Sequence, residues 1–155
     1  MASRPTGAPL PGRDIRVCYA GDRRALSPAT VRHVVLAVLD GEGAGETQVT
    51  VTFLSSAKMR ALNRRAFRTD RATDVIGFAL PHPGTLVGDV YVCPGVGRRS
   101  AVRFKVPAQE ELIRLVVHGT LHVLGYDHPP GKGRIESSMW KVQERYVAAV
   151  TGTAT

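Results

Sequence analysis

The chain has 155 residues, 43% of them apolar and 22% charged, so it can bury a core and is too apolar for wholesale disorder. Two cysteines, Cys18 and Cys93, are too few for a disulfide framework, and the longest apolar run, 34–39, is far short of a membrane span. Twenty-one Lys and Arg against 13 acids leave a charge of +8, which favours a polyanionic partner. The expectation is a cytoplasmic protein with reduced thiols and no membrane contact.

Residues 1–13, rich in Pro, Gly and Ala, read as a disordered leader, and 14–150 as one domain. The stretch 14–20 alternates as a strand. Ser27 as N-cap and Pro28 at the first helical position open a helix with a stripe of Val31, Val34, Val35 and Val38, stopped by Gly41 and Gly43. The β-branched run 47–54 is a strand, and a second helix starts at Ser55 or Ser56 with Met59, Leu62 and Ala66 inward. Residues 73–80 and 85–93 predict two strands joined by a turn at 81–84, with Gly77 and Gly88 marking bulges or close backbone approach.

A basic loop is expected over 94–106, then a helix over 107–124 that is apolar nearly all round and belongs in the centre of the domain. A last helix over about 134–149 places Ile135, Met139, Val142, Tyr146 and Val150 on one face. The order of elements predicts an α+β fold: a small mixed four-stranded sheet covered by helices, around a buried central helix.

That central helix ends in "HGTLHVLGYDH". His118 and His122, four apart, share a face and can turn ring nitrogens to one ion. The chain leaves the helix at Gly125, so His128 can return as a third ligand. Three imidazoles leave a fourth position for water, the open arrangement of catalytic zinc sites. Imidazole also suits copper, iron and nickel, so zinc rests on geometry and analogy. The spacing matches the H-E-x-x-H-x-x-G-x-x-H helix of metzincin proteases, but Gly119 stands where they keep a general-base glutamate. His33 and His82 fit no such pattern.

Basic residues cluster in two places, six in 58–71 and four in 98–105. Arg60, Arg64 and Arg68 would line one stripe if the second helix extends that far, with Arg60 simply solvated. Arg64, Arg68, Arg98, Arg99 and Arg103 are the candidate cations for a polyanionic partner. Asp127 could orient a histidine or cap a turn, Asp74 and Asp89 could support the site or the hairpin, and Tyr126 and Trp140 could stack on a base or fill the core.

The histidine segment resembles the H-G-x-L-H-L-x-G-Y-D-H signature of the YbeY family of bacterial endoribonucleases, with Val123 for leucine. Residues 62–80 are similar to the family's L-N-x-x-Y-R-x-x-D-x-P-T-D-V-L-S-F-P block, and 88–92 to its G-D-I-x-I strand. Phe67, Ala72, Gly77 and Ala79 depart from that block, and Gly77 removes a hydroxyl. The resemblance implies a zinc-dependent, single-strand-specific RNase that matures ribosomal RNA, notably the 16S 3′ end, and takes part in ribosome quality control. It implies one Zn2+ ion on His118, His122, His128 and water, and a catalytic arginine at Arg68. Implied partners are single-stranded RNA, ribosomal RNA, the ribosome, and ribosomal proteins or a ribosome-assembly GTPase. Two other readings stay open: a metallohydrolase such as a peptidase, and a non-enzymatic rRNA-binding module with structural zinc.

Overall fold

The computed structural model describes residues 12–21, 25–129 and 131–152. Residues 1–11 of the expected leader over 1–13 lie outside this set, and its last residue, Arg13, already begins the first strand. Four strands, β1 (Arg13–Ala20), β2 (Thr47–Leu54), β3 (Val75–Leu80) and β4 (Leu86–Val92), form one sheet of order β1-β2-β4-β3. β1, β2 and β4 run parallel, and β3 pairs antiparallel with β4. The described helices are α1 (Pro28–Gly41), α2 (Ser56–Phe67), α3 (Pro94–Phe104), α4 (Ala108–Val123) and α5 (Ser138–Thr151), with a 3-10 turn at Gly131–Arg134. No helix among the described residues is long and apolar enough to cross a membrane. The expected mixed sheet, helical cover and central helix are all present.

Local chemistry starts the first two helices where the serines predict. The Ser27 hydroxyl accepts from the Thr30 amide at 3.1 Å and that of Ser55 from the Lys58 amide at 3.3 Å, each relieving one orphan donor. The valines of α1 are poor helix formers, yet Val31, Val34, Val35 and Val38 are fully buried. Burial gives about 1.5–3 kcal/mol per side chain. That outweighs a propensity cost below about 1 kcal/mol each.

Period-two alternation on the strands splits the core. Ile15, Val49, Val51, Phe53, Val90 and Val92 face a layer containing α1, α4 and part of α5. Ile76, Leu54 and Cys93 form a smaller cluster with Met59 of α2. Cys18 and Cys93 are both free thiols.

Glycines let α4 lie very close to its neighbours. A Cβ at Gly77 in β3 would stand 2.4 Å from the Gly119 carbonyl oxygen and 2.9 Å from its Cα. One at Gly119 would meet Val90 Cγ1 at 2.4 Å, and one at Gly88 would meet Val123 Cγ1 at 2.3 Å. Both strand glycines are therefore sites of close approach to α4. A side chain at position 77 has no room between these backbones.

Two expected elements are corrected. Residues 94–106 are not a basic loop, because Pro94–Phe104 is helical. Its buried face is made of Pro94, Gly97 and Ala101, small residues without a large apolar stripe. At Gly97 a Cβ would meet Leu112 and Leu115 of α4 at 2.9 and 3.0 Å, so the helix docks through its smallest residue. The last helix starts later than expected, at Ser138, capped by the Ser137 hydroxyl accepting from the Trp140 amide. Ile135 therefore precedes the helix and is exposed instead of sharing its buried face.

Candidate metal centre

α4 presents His118 and His122 one turn apart, His118 buried and His122 half-buried. Gly125 then takes φ +98°, a backbone region that side chains rarely adopt, and the chain turns back. The Tyr126 hydroxyl donates to Glu42 beyond α1, anchoring the return. Asp127 accepts from the His128 amide at 2.8 Å, so it caps the turn and does not reach a ring nitrogen. The return places the three rings together, with centroids 4.6 to 5.2 Å apart.

The outer nitrogens set the tautomer of each ring. Nδ1 of His118 lies 2.6 Å from Gln143 Oε1, Nδ1 of His122 lies 2.9 Å from the Tyr126 carbonyl, and Nδ1 of His128 lies 2.9 Å from the Pro129 carbonyl. A carbonyl oxygen only accepts, so each Nδ1 carries a hydrogen, and a neutral ring in this tautomer leaves its lone pair on Nε2. The Gln143 amide is fixed in this sense because its Nε2 donates to Glu144 at 3.0 Å. Nε2 of His118 and Nε2 of His122 are 3.0 Å apart, and one ligand atom from each of the three histidines lies within 4.8 Å of the others. Converging lone pairs repel unless a cation sits among them. Tetrahedral zinc would space such donors at roughly 3.3 Å. This donor set fits a metal ion.

Electrostatics point the same way. Burial, and then the Arg134 guanidinium, push the His118 pKa down to about 3. Burial also lowers that of His122. Both rings are neutral at pH 7, the form that binds metal. The folded, metal-free chain therefore holds fewer protons than the unfolded one below the ordinary histidine pKa of 6.5. Its stability is full above that pH and is lost as pH falls toward 3. Between pH 7 and 5 His118 alone should cost about 2 kcal/mol. Melting of chelator-treated protein should show a lower midpoint at pH 5, with a smaller fall in His118→Gln. An equal fall in both would remove His118 as the cause.

Sequence reasoning missed two residues here. Gln143 is fully buried and meets His118 across the α4–α5 interface, a pairing that spacing along one helix does not reveal. Behind it Glu144 binds Arg114 at 2.9 and 3.0 Å, and Arg114 also takes Glu111 at 2.8 Å. Gln143→Leu should lower metal affinity about 10–100-fold, the usual cost of losing an outer hydrogen bond to a ligand. Competition with a chromophoric chelator measures it, and wild-type affinity would dismiss the role. Arg134, in a glycine-rich stretch with no periodic signal, acts on His118 and His122 and lies 4.0 Å from Asp74.

The candidate arginines are scattered. α2 ends at Phe67, so Arg68 does not extend the stripe of Arg60 and Arg64. It is the C-cap, exposed, at φ +55°, an uncommon conformation for a residue with a side chain. Arg60 and Arg64 both bind Asp70, at 2.8 and 2.6 Å, and hold its carboxyl well below the usual range. Arg98 is half-buried and Arg99 and Arg103 are exposed, all on α3. Asp74 accepts from the Val75 amide at the start of β3, and burial raises the pKa of Asp89 in β4.

The sequence profile described as Endoribonuclease YbeY matches residues 22–151. This chain belongs to the YbeY family. An Endoribonuclease YbeY from Chlorobium limicola is 31% identical over 125 residues, covering 81% of this chain and 85% of that protein. One from Thermus thermophilus is 33% identical over 130 residues, covering 81% and 91%. The solution structure of TM1509 from Thermotoga maritima superimposes with a TM-score of 0.62 at 28% identity, over 90% of each chain. The histidines and the glycine contacts of α4 thus sit within the YbeY match.

Proposed function

We propose that this chain is a zinc-dependent endoribonuclease that cuts single-stranded RNA in the cytoplasm and matures ribosomal RNA, including the 16S 3′ end. Ribosome quality control, with ribosomal proteins or a ribosome-assembly GTPase as partners, belongs to the same reading. One observation carries it: a ligand nitrogen from each of three histidines converges, within 4.8 Å of the others, while every Nδ1 lies against a carbonyl oxygen, in a chain of the YbeY family.

His118, His122 and His128 would hold the ion through Nε2. A bound ion supplies Lewis acidity and makes water a usable nucleophile near neutral pH. Gln143 and the Tyr126 and Pro129 carbonyls keep the rings aimed. Peptide hydrolysis would also need a proton carrier for its amine leaving group, and the α4 position that supplies one in metzincins is Gly119, packed on Val90. Phosphodiester cleavage asks for positive charge around the phosphate oxygens. Arg68 would offer that charge as a planar fork. Arg64, Arg98, Arg99 and Arg103 would bind the RNA backbone, with Arg64 exchanging its exposed bond to Asp70 for phosphate.

The test is cleavage of matched single-stranded and duplex RNA by metal-loaded protein. Arg68→Ala should keep its metal and lose about 10²–10³ in kcat, the cost of one transition-state donor. Wild-type kcat in that variant would remove Arg68 from the chemistry. Cutting duplex as fast as single strand would overturn the substrate assignment.

A further inference from the structure

Beside the metal centre lies a cavity of about 420 Å³ with no role in the chemistry described above. It is bounded by the end of α3, the first turns of α4, Asp74, Arg134 and the start of α5. We propose that this cavity receives a nucleobase of the RNA, stacked on Trp140 and Phe104, and so fixes the strand beside the histidines. The proposal rests on the RNA-cleaving reading.

Three observations support a base as occupant. The first is an aromatic and aliphatic wall left open: Phe104 is 61% exposed and Ile135 58%, both lining the cavity with half-buried Trp140. Large apolar side chains turned toward one hollow offer stacking surface, and every base has a face to stack.

The second is charge. Arg103, Arg114 and Arg134 line the cavity against Asp74, Glu111 and Glu144, three cations to three anions. Arg114 is already bound to Glu111 and Glu144. The interior is balanced, which suits a planar neutral ring better than a phosphate. The unbalanced charge lies outside the cavity, in exposed Arg99 of α3 and in Lys105, the residue that caps that helix, where a sugar–phosphate chain would run.

The third is position. Glu144 lines the cavity and accepts from Gln143 Nε2 at 3.0 Å, Gln143 Oε1 lies 2.6 Å from His118 Nδ1, and Arg134 lines the cavity and lies over the Trp140 ring at 5.9 Å. Among the described residues its nearest carboxylate, Asp74, is 4.0 Å away, and its buried Nε has no hydrogen-bond partner. The Glu144–Gln143 pair therefore joins the cavity wall to the metal centre. At the mouth, Arg103 covers the Phe104 ring at 4.9 Å, a cation–π pair that an entering base would exchange for stacking.

Trp140 is the chain's single tryptophan, so its fluorescence reports this cavity. Chelator-treated protein, which cannot cut, is titrated with a tetraribonucleotide and with its abasic counterpart of the same sugar–phosphate chain. Saturable quenching by the tetranucleotide, and at least tenfold weaker binding of the abasic chain, is the expected result. Phe104→Ala should weaken tetranucleotide binding about tenfold. In metal-loaded protein it should raise KM similarly, with metal content and melting point unchanged. Equal quenching by both oligomers would assign the response to phosphate and overturn the proposal. So would active wild type whose Trp140 ignores the tetranucleotide and whose KM is indifferent to Phe104→Ala. Base-dependent quenching in a wild type that cuts no RNA would instead leave the cavity as a nucleobase site and sink the nuclease reading.

Discussion

His118→Ala is expected to lose both bound metal and RNA cleavage, while the sheet and its α1 cover remain. The ring is buried, its Nδ1–H is held by Gln143, and its Nε2 is one of three donors available to the ion. Two imidazoles cannot reproduce the three-ligand open site. Metal content by elemental analysis should fall from near one ion per chain to near zero, and cleavage to background. A variant that retains one tightly held ion would show that the metal lies elsewhere. A metal-free variant that still cuts would place the chemistry outside these histidines. Circular dichroism must accompany both readings, because an unfolded chain would mimic the loss.

The second large effect concerns Gly119. Installing the protease glutamate, Gly119→Glu, should destabilise the fold and confer no peptidase activity. The new Cβ would stand 2.4 Å from Val90 Cγ1 and 3.1 Å from Val75 Cγ2. Val90 is fully buried and β-branched, so it has little freedom to yield. Overpacking of this kind costs about 1–3 kcal/mol, and a carboxylate at the same interface adds desolvation. Gly119→Ala isolates the steric part. For a chain of this size each kcal/mol lowers the melting point by about 2–4 °C. Thermal melting of the three proteins should rank wild type above alanine above glutamate. A glutamate variant melting with the wild type would mean the α4–sheet seam has slack.

Most of the frame could be read from residue order because its signals are local. Strand alternation at 47–54 and the capping serines at 27 and 55 act within a few residues. The three histidines declare themselves by spacing along one helix and its return. What was not legible depends on partners distant in the chain. α3 docks through Gly97 and Ala101, which no hydrophobic periodicity marks. Gln143 occupies an ordinary inward position of α5, and only the crossing with α4 turns it toward His118. Ile135 had the right spacing for burial but lies before the Ser137 cap, where the helix has not begun. Gly77 and Gly88 announced close contact without saying with what. Arg68 matched a motif, yet its left-handed backbone could not be foreseen from the charge stripe.

The carbonyl oxygens behind the histidines have a wider consequence. Two come from the chain just after α4, Tyr126 and Pro129, and one from α5. Ligand count alone is therefore an incomplete description of the centre. A chain could keep all three histidines and lose selectivity of aim if α5 shifted by one residue along α4. Metal retention is thus a gauge of helix register, and inheritance of the site within a lineage should track the α4–α5 seam as closely as the histidines themselves.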